Sequence, residues 1–157
     1  MNYVANNQYT ALTNKTVYPF LSSLFEVGGM KYVPISPSDR TCNAIDCNYD
    51  NRVANIVVGE NVTYKGVELT VEAINSYACY QNPFIQTVDL THNGAVGNYA
   101  FSGCQNLTTA QLQNNGAVDN YAFSGCQNLT TAQLQNKGSV GNYAFSGCQN
   151  LTTAQLQ

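Results

Sequence analysis

The chain has 157 residues and a formal net charge of −3, with 44% apolar but only 10% charged residues, against about 25% charged in ordinary soluble domains. This balance excludes a basic nucleic-acid surface and electrostatic attraction to an anionic membrane. No stretch reaches the ~18 apolar residues of a membrane span, and Asn, Gln, Thr, Ser and Tyr must cover the surface in place of charge.

Residues 1–23 are polar and without sustained period, and read as an N-terminal extension. They lack the basic start and apolar core of a secretory signal. Two readings follow, a cytosolic chain or a mature or truncated form of an extracellular one. The polar, weakly charged, Tyr-rich composition favours the second. From Leu24 the texture turns to β. LFEV and MKYVPIS flank Gly28-Gly29 as a hairpin. TCNAI (41–45) and VANIVV (53–58) read as strands around the polar turn DCNYDNR, and Val62-Thr63-Tyr64 pairs with VELTV across Lys65-Gly66. Residues 24–70 are therefore expected to form a β-hairpin cap.

Residues 71–157 repeat. NYAFSGCQNLTTAQLQ occurs without change at 98–113, 120–135 and 142–157, a period of 22. A degenerate copy precedes these, with Ile74, Tyr77 and Ala78 matching Val96, Tyr99 and Ala100, and with Ile85, Val88 and Leu90 matching Leu107, Ala110 and Leu112. In that copy Cys79 takes the Phe position. Fixed periods of this size mark solenoids, and their terminal copies are atypical. Within one unit, Leu107, Ala110 and Leu112 alternate with polar residues, which predicts a short strand with one buried face. Asn114-Asn115-Gly116 is a turn. Val118, Ala122 and Phe123 suit a loose helical or 3₁₀ turn. A lone unit cannot bury its apolar side, but units stacked about 4.8 Å apart bury Leu on Leu and Phe on Phe. The predicted fold is a β-rich solenoid with a parallel strand sheet.

The pairs Ala100-Phe101, Ala122-Phe123 and Ala144-Phe145, each followed by Cys104, Cys126 or Cys148 and then by a Leu-x-x-Ala-x-Leu strand, resemble the BspA-like (Treponema-type) leucine-rich repeat. VTYKGVELTVEAI is similar to the hairpin that precedes the first repeat in that family. The unit is one residue shorter than usual for the type, and Ala110, Ala132 and Ala154 replace a larger aliphatic. The resemblance implies a curved solenoid, secreted or surface-attached, used in adhesion or protein binding.

No catalytic set is apparent. His92 lies after the strand of the degenerate copy and reads as a solvated turn histidine. Its neighbour Asp89 is placed beside Gln111 and Gln133, with no second acid. Cys104, Cys126 and Cys148 form a column. Three in a line do not match the tetrahedral array zinc requires, so they read as small buried fillers. Cys42 and Cys47 flank a predicted turn. A local disulfide there is one candidate and two free thiols the other, while Cys79 is expected buried and free. Asn61, Asn106, Asn128 and Asn150, with Asn14, begin Asn-x-Thr sequons. Three of them, Asn106, Asn128 and Asn150, lie in the repeat corner and read as turn formers rather than glycan sites. No metal, cofactor or catalytic residue is assigned.

The candidate ligand-binding positions are the strands' outward residues: Thr87, Asp89 and Thr91; Thr109, Gln111 and Gln113; Thr131, Gln133 and Gln135; Thr153, Gln155 and Gln157. A protein or glycan on host or neighbouring cells is the expected partner, with no nucleic acid and no membrane insertion. The alternative is a structural, engineered or self-associating scaffold without a separate ligand. Self-association is expected through the open edge at Leu151–Gln157, since open strand edges recruit other chains.

Overall fold

The computed structural model describes residues 23–36, 38–47 and 52–156. The expected extension, the middle of the turn at 46–52, the sequon at Asn14 and the candidate residue Gln157 lie outside these. Ten strands form two sheets. The first contains β1 (Phe25–Val27), β2 (Met30–Ser36), β3 (Thr41–Cys47), β5 (Asn61–Tyr64) and β6 (Val67–Ile74), in the order β1-β2-β3-β6-β5. Both predicted hairpins are present. Gly28-Gly29 and Lys65-Gly66 all have positive φ, the type I′ geometry that matches strand twist.

The second sheet contains β4 (Asn55–Val58), β7 (Thr87–Leu90), β8 (Thr109–Leu112), β9 (Thr131–Leu134) and β10 (Thr153–Leu156), all parallel. Register is one to one, with Asn55, Thr87, Thr109, Thr131 and Thr153 in one row. β4 is the departure from expectation. VANIVV falls within the expected cap, yet it forms the first rung of the solenoid sheet, because Ile56 and Val58 alternate inward in step with Val88 and Leu90.

Each rung stacks identical groups. Phe101, Phe123 and Phe145 have ring centroids 5.2 and 5.3 Å apart with nearly parallel planes. Leu107, Leu112, Leu129, Val96 and Val118 are fully buried beside them. A second parallel ladder runs Ile74–Val96–Val118–Val140. Gly116 is required at the corner between the strand and this ladder. A Cβ there would lie 2.5 Å from the carbonyl carbon of Gly94 in the rung before.

The expected 3₁₀ turn forms only by half. In residues 121–126 the amides alternate: those of Ala122, Ser124 and Cys126 bond three residues back, while those of Tyr121, Phe123 and Gly125 donate to Asn142, Ala144 and Ser146 of the next rung. No helix occurs among the described residues. The turn side is thereby laddered like the strand side. Its rings are spaced 4.8 to 5.3 Å, close to the ~4.8 Å between strands. In the rung of β10, Val140 is 43% and Tyr143 63% exposed, and Phe145, Cys148 and Leu151 are half-buried.

Candidate recognition surface

The inward alternation of the second sheet leaves its other face polar. One row is Asn55, Thr87, Thr109, Thr131 and Thr153, and the next is Val57, Asp89, Gln111, Gln133 and Gln155. A third row, just past the strands, holds Thr91, Gln113 and Gln135. The rows are partly tied along the coil axis. Thr87 Oγ1 donates to Asn55 Oδ1 at 2.7 Å and Gln113 Nε2 donates to Gln135 Oε1 at 2.6 Å. Asp89 lies between Val57 and Gln111, with no second carboxylate in its row. The sheet therefore aligns the predicted positions from Thr87 to Thr153 on one face.

β4 adds what sequence reading missed. Val57 is 65% exposed and extends the middle row beyond Asp89. A cleft of about 500 Å³ opens at this edge between the two sheets, lined by Val27, Tyr32, Asn55, Val57, Val62 and Thr63 among others. The signal was available in the N-I-V-V alternation. Its pairing partner was not, because β4 and β7 are separated by the β5–β6 hairpin.

The cysteines are arranged differently from expectation. Cys47 is bonded to Cys79, with their Cα atoms 5.0 Å apart, and Cys42 is free and buried. A Cys42–Cys47 bridge is excluded because both lie on β3. Extended backbone holds residues five apart by roughly 16 Å, beyond the ~7 Å limit for a bridge. Cys79 instead fills the Phe position of the degenerate rung and fastens it to the cap. In the column, Cys104 and Cys126 do act as small buried fillers, while Cys148 in the last rung is half-buried. Each thiol also donates to the carbonyl at the Phe position of the preceding rung, 25 residues back: Cys104 to Cys79 O, Cys126 to Phe101 O and Cys148 to Phe123 O, at 3.1, 3.1 and 3.2 Å. Burial pushes the Cys104 thiol up to about 12 and raises those of Cys126 and Cys148, so these sulfurs stay protonated and poorly nucleophilic at neutral pH.

His92 is not solvated. It is fully buried, at the position that Asn114 and Asn136 hold in later rungs, and its Nε2 lies 2.9 Å from Ala95 O. Asn114 plays the same part with Nδ2, donating to Gly94 O and Gly116 O. Burial lowers the His92 pKa below its ordinary 6.5, so the imidazole is neutral and donates from Nε2. The corner asparagines behave as expected of turn formers: Asn106, Asn128 and Asn150 each donate Nδ2 to a carbonyl of the preceding rung, at 2.6 to 2.8 Å. Among the described residues no group of three or more His, Cys, Asp or Glu is arranged to hold a metal ion.

The same stacked unit identifies the family. The BspA type leucine rich repeat region matches residues 70–157, in six copies, which is more than half of the chain. The chain belongs to the BspA type leucine-rich repeat family. A leucine-rich repeat protein from Bacteroides capillosus is similar in structure, with a TM-score of 0.66 and 20% identity over 86% of this chain and 99% of that one. A leucine-rich repeat protein from T. pallidum aligns over 85% of this chain and 82% of its own, at 16% identity and a TM-score of 0.49. The first likeness establishes the leucine-rich repeat fold. No protein of curated function matches the chain. Leucine-rich repeats of this type are in general protein-binding, surface-recognition scaffolds rather than enzymes, and proteins that carry them are typically secreted or at the bacterial cell surface.

Proposed function

We propose that this chain is a non-enzymatic recognition protein that acts in adhesion at a cell surface, binding protein or glycan partners through the polar face of the parallel sheet. The observation that carries this reading is the one-to-one register of β4, β7, β8, β9 and β10, which sets the outward Thr and Gln residues in straight rows. Hydroxyl and amide groups of this kind donate and accept hydrogen bonds without charge, and Asp89 is the one acidic residue in the rows. The Cys47–Cys79 disulfide supports an oxidising compartment, in keeping with an extracellular site of action. No helix among the described residues is long and apolar enough to cross a membrane.

Capture by immobilised matrix proteins and surface glycans tests the proposal. The variant Gln111→Glu/Gln133→Glu should lose capture with the circular dichroism spectrum retained, because it replaces two amide donors of the face by negative charge. The two carboxylates oppose each other across neighbouring strands and should lower Tm modestly. Capture that survives in this variant would move the site off the sheet. Absence of capture by any surface component would favour the reading of a scaffold without a separate ligand.

A further inference from the structure

On the turn side of the coil, Tyr77, Tyr99, Tyr121 and Tyr143 form one continuous stack. Centroids lie 5.0, 4.8 and 5.2 Å apart, with planes within 10°, 2° and 15°. Tyr80 packs edge-on against Tyr77 and Tyr99. None of these rings is buried, and Tyr77 at one end is 54% exposed. All four stacked residues also have φ between 60° and 63°. The left-handed region costs an ordinary L residue about 1–2 kcal/mol, and Gly or Asn is the residue it favours. A stacked aromatic pair returns about 0.5–1.5 kcal/mol. The two terms are of one size, so the backbone has no need of tyrosine here, and neither has the core. Strain kept at a surface position in rung after rung, exposed at Tyr77 and Tyr143 and half-buried at Tyr99 and Tyr121, points to function.

We propose that this tyrosine rail is a second binding site, for a neutral, linear polysaccharide laid along the coil axis with about one sugar per rung. Three further features fit that ligand. The turns at 75–81, 97–103, 119–125 and 141–147 hold a single charged residue, Asp119, so an ionic polymer finds no counter-charge. Asn98 and Asn120 flank the rail. Each uses its Oδ1 to accept the backbone N–H of the next rung's asparagine, which leaves its amide Nδ2 to donate to sugar hydroxyls. The ring spacing is close to the advance per residue of an extended β-1,4-linked pyranose chain. A polyproline helix rises only about 3.1 Å per residue and falls out of step. The rail shares no residue with the sheet face, so it stands or falls independently of the adhesive site proposed above.

The chain contains no Trp and 11 Tyr, four of them in the rail, so a change in tyrosine emission that is reduced in Tyr99→Asn/Tyr121→Asn reports on the rail. Titration with cello-oligosaccharides should change that emission saturably, with affinity rising from cellobiose to about four sugars and then levelling. Tyr99→Asn/Tyr121→Asn, which suits the left-handed backbone, should weaken binding of cellohexaose about tenfold with the circular dichroism spectrum and Tm retained. Gln111→Glu/Gln133→Glu should bind as the parent does. If the asparagine pair fails to fold, Tyr99→Phe/Tyr121→Phe decides, since it keeps the stack and must still bind more weakly. No emission change with any oligosaccharide, equal affinity for cellobiose and cellohexaose, binding of a polyproline peptide instead, or loss only in the glutamine variants would overturn the proposal.

Discussion

Cys79 occupies the place that Phe101 holds one rung later, and there its sulfur is joined to Cys47 at the end of β3. The aromatic column thus begins in a covalent bond to the cap. The two cysteines are 32 residues apart, and closing a loop of that size in the unfolded chain contributes about 3–4 kcal/mol. Cys47→Ser/Cys79→Ser, or reduction of the parent, should lower the unfolding free energy by about that amount in denaturant titration. An unchanged midpoint would show that the bond constrains little.

The four free thiols should react in a set order. Cys148 is half-buried, whereas Cys42, Cys104 and Cys126 are buried, and burial holds the Cys42 thiol up at about 12, with Glu72 adding to the rise. An aromatic disulfide reagent on the native protein should label Cys148 first and the other three only on the timescale of opening. Mass spectrometry of partly labelled protein checks this. Simultaneous labelling of Cys104 and Cys148 would contradict it.

His92 gives stability a pH dependence of definite sign. Its folded pKa lies below the ordinary 6.5, so the unfolded chain takes up a proton first. The stabilisation is complete above pH 6.5 and falls as pH drops below it. His92→Asn, which copies Asn114, should flatten stability between pH 6.5 and the onset of carboxylate titration near ~4. Parallel curves for parent and variant over that window would show that His92 is protonated within the fold.

Phe123 lies between Phe101 and Phe145 and is fully buried. Phe123→Ala should cost about 3–5 kcal/mol through lost burial and the cavity left behind. Phe145→Ala should cost distinctly less, because that ring is only half-buried. Chemical denaturation of the two variants compares them directly.

Prepared as the 157-residue chain, the protein presents the apolar side of its β10 rung, with Val140 and Tyr143 exposed and one strand edge unpaired. Concentration-dependent association is expected in light scattering. Val140→Lys/Ala154→Lys should suppress it, since inward-placed charge blunts an open edge. A parent that stays monomeric at high concentration would refute the pairing.

The repeat made most of the solenoid legible. Leu107, Ala110 and Leu112 announced a strand, and Phe101 to Phe145 a column, because packing in a stack depends on what recurs at a fixed spacing. What stayed hidden depends on pairings between unlike stretches. Cys79 meets Cys47 only after β3 docks beside β6, and VANIVV joins β7 across an intervening hairpin. His92 departs from expectation for a related reason. It follows a strand as a turn residue would, yet it occupies the buried Asn114 position, and the equivalence shows only when the rungs are aligned by their strands. The positive φ of the tyrosines has no signature in residue type, since tyrosine is a poor left-handed residue. The outward Thr and Gln rows could be located from alternation alone, but which edge they extend to required β4.

The alternating amides of residues 121–126 have a mechanical consequence. Because both sides of each rung are bonded to the next rung, and the rungs carry nearly the same sequence, a pull on the two ends of the chain should peel rungs off one at a time at similar force. Each would release 22 residues, about 75 Å of extended chain, until the pull reaches Cys79. There the disulfide to Cys47 carries the load and shields residues 48–78, so the segment that holds β4, β5 and β6 pays out no chain. In an optical trap the protein would pay out in even steps and then lock, as a tether with a fixed stop.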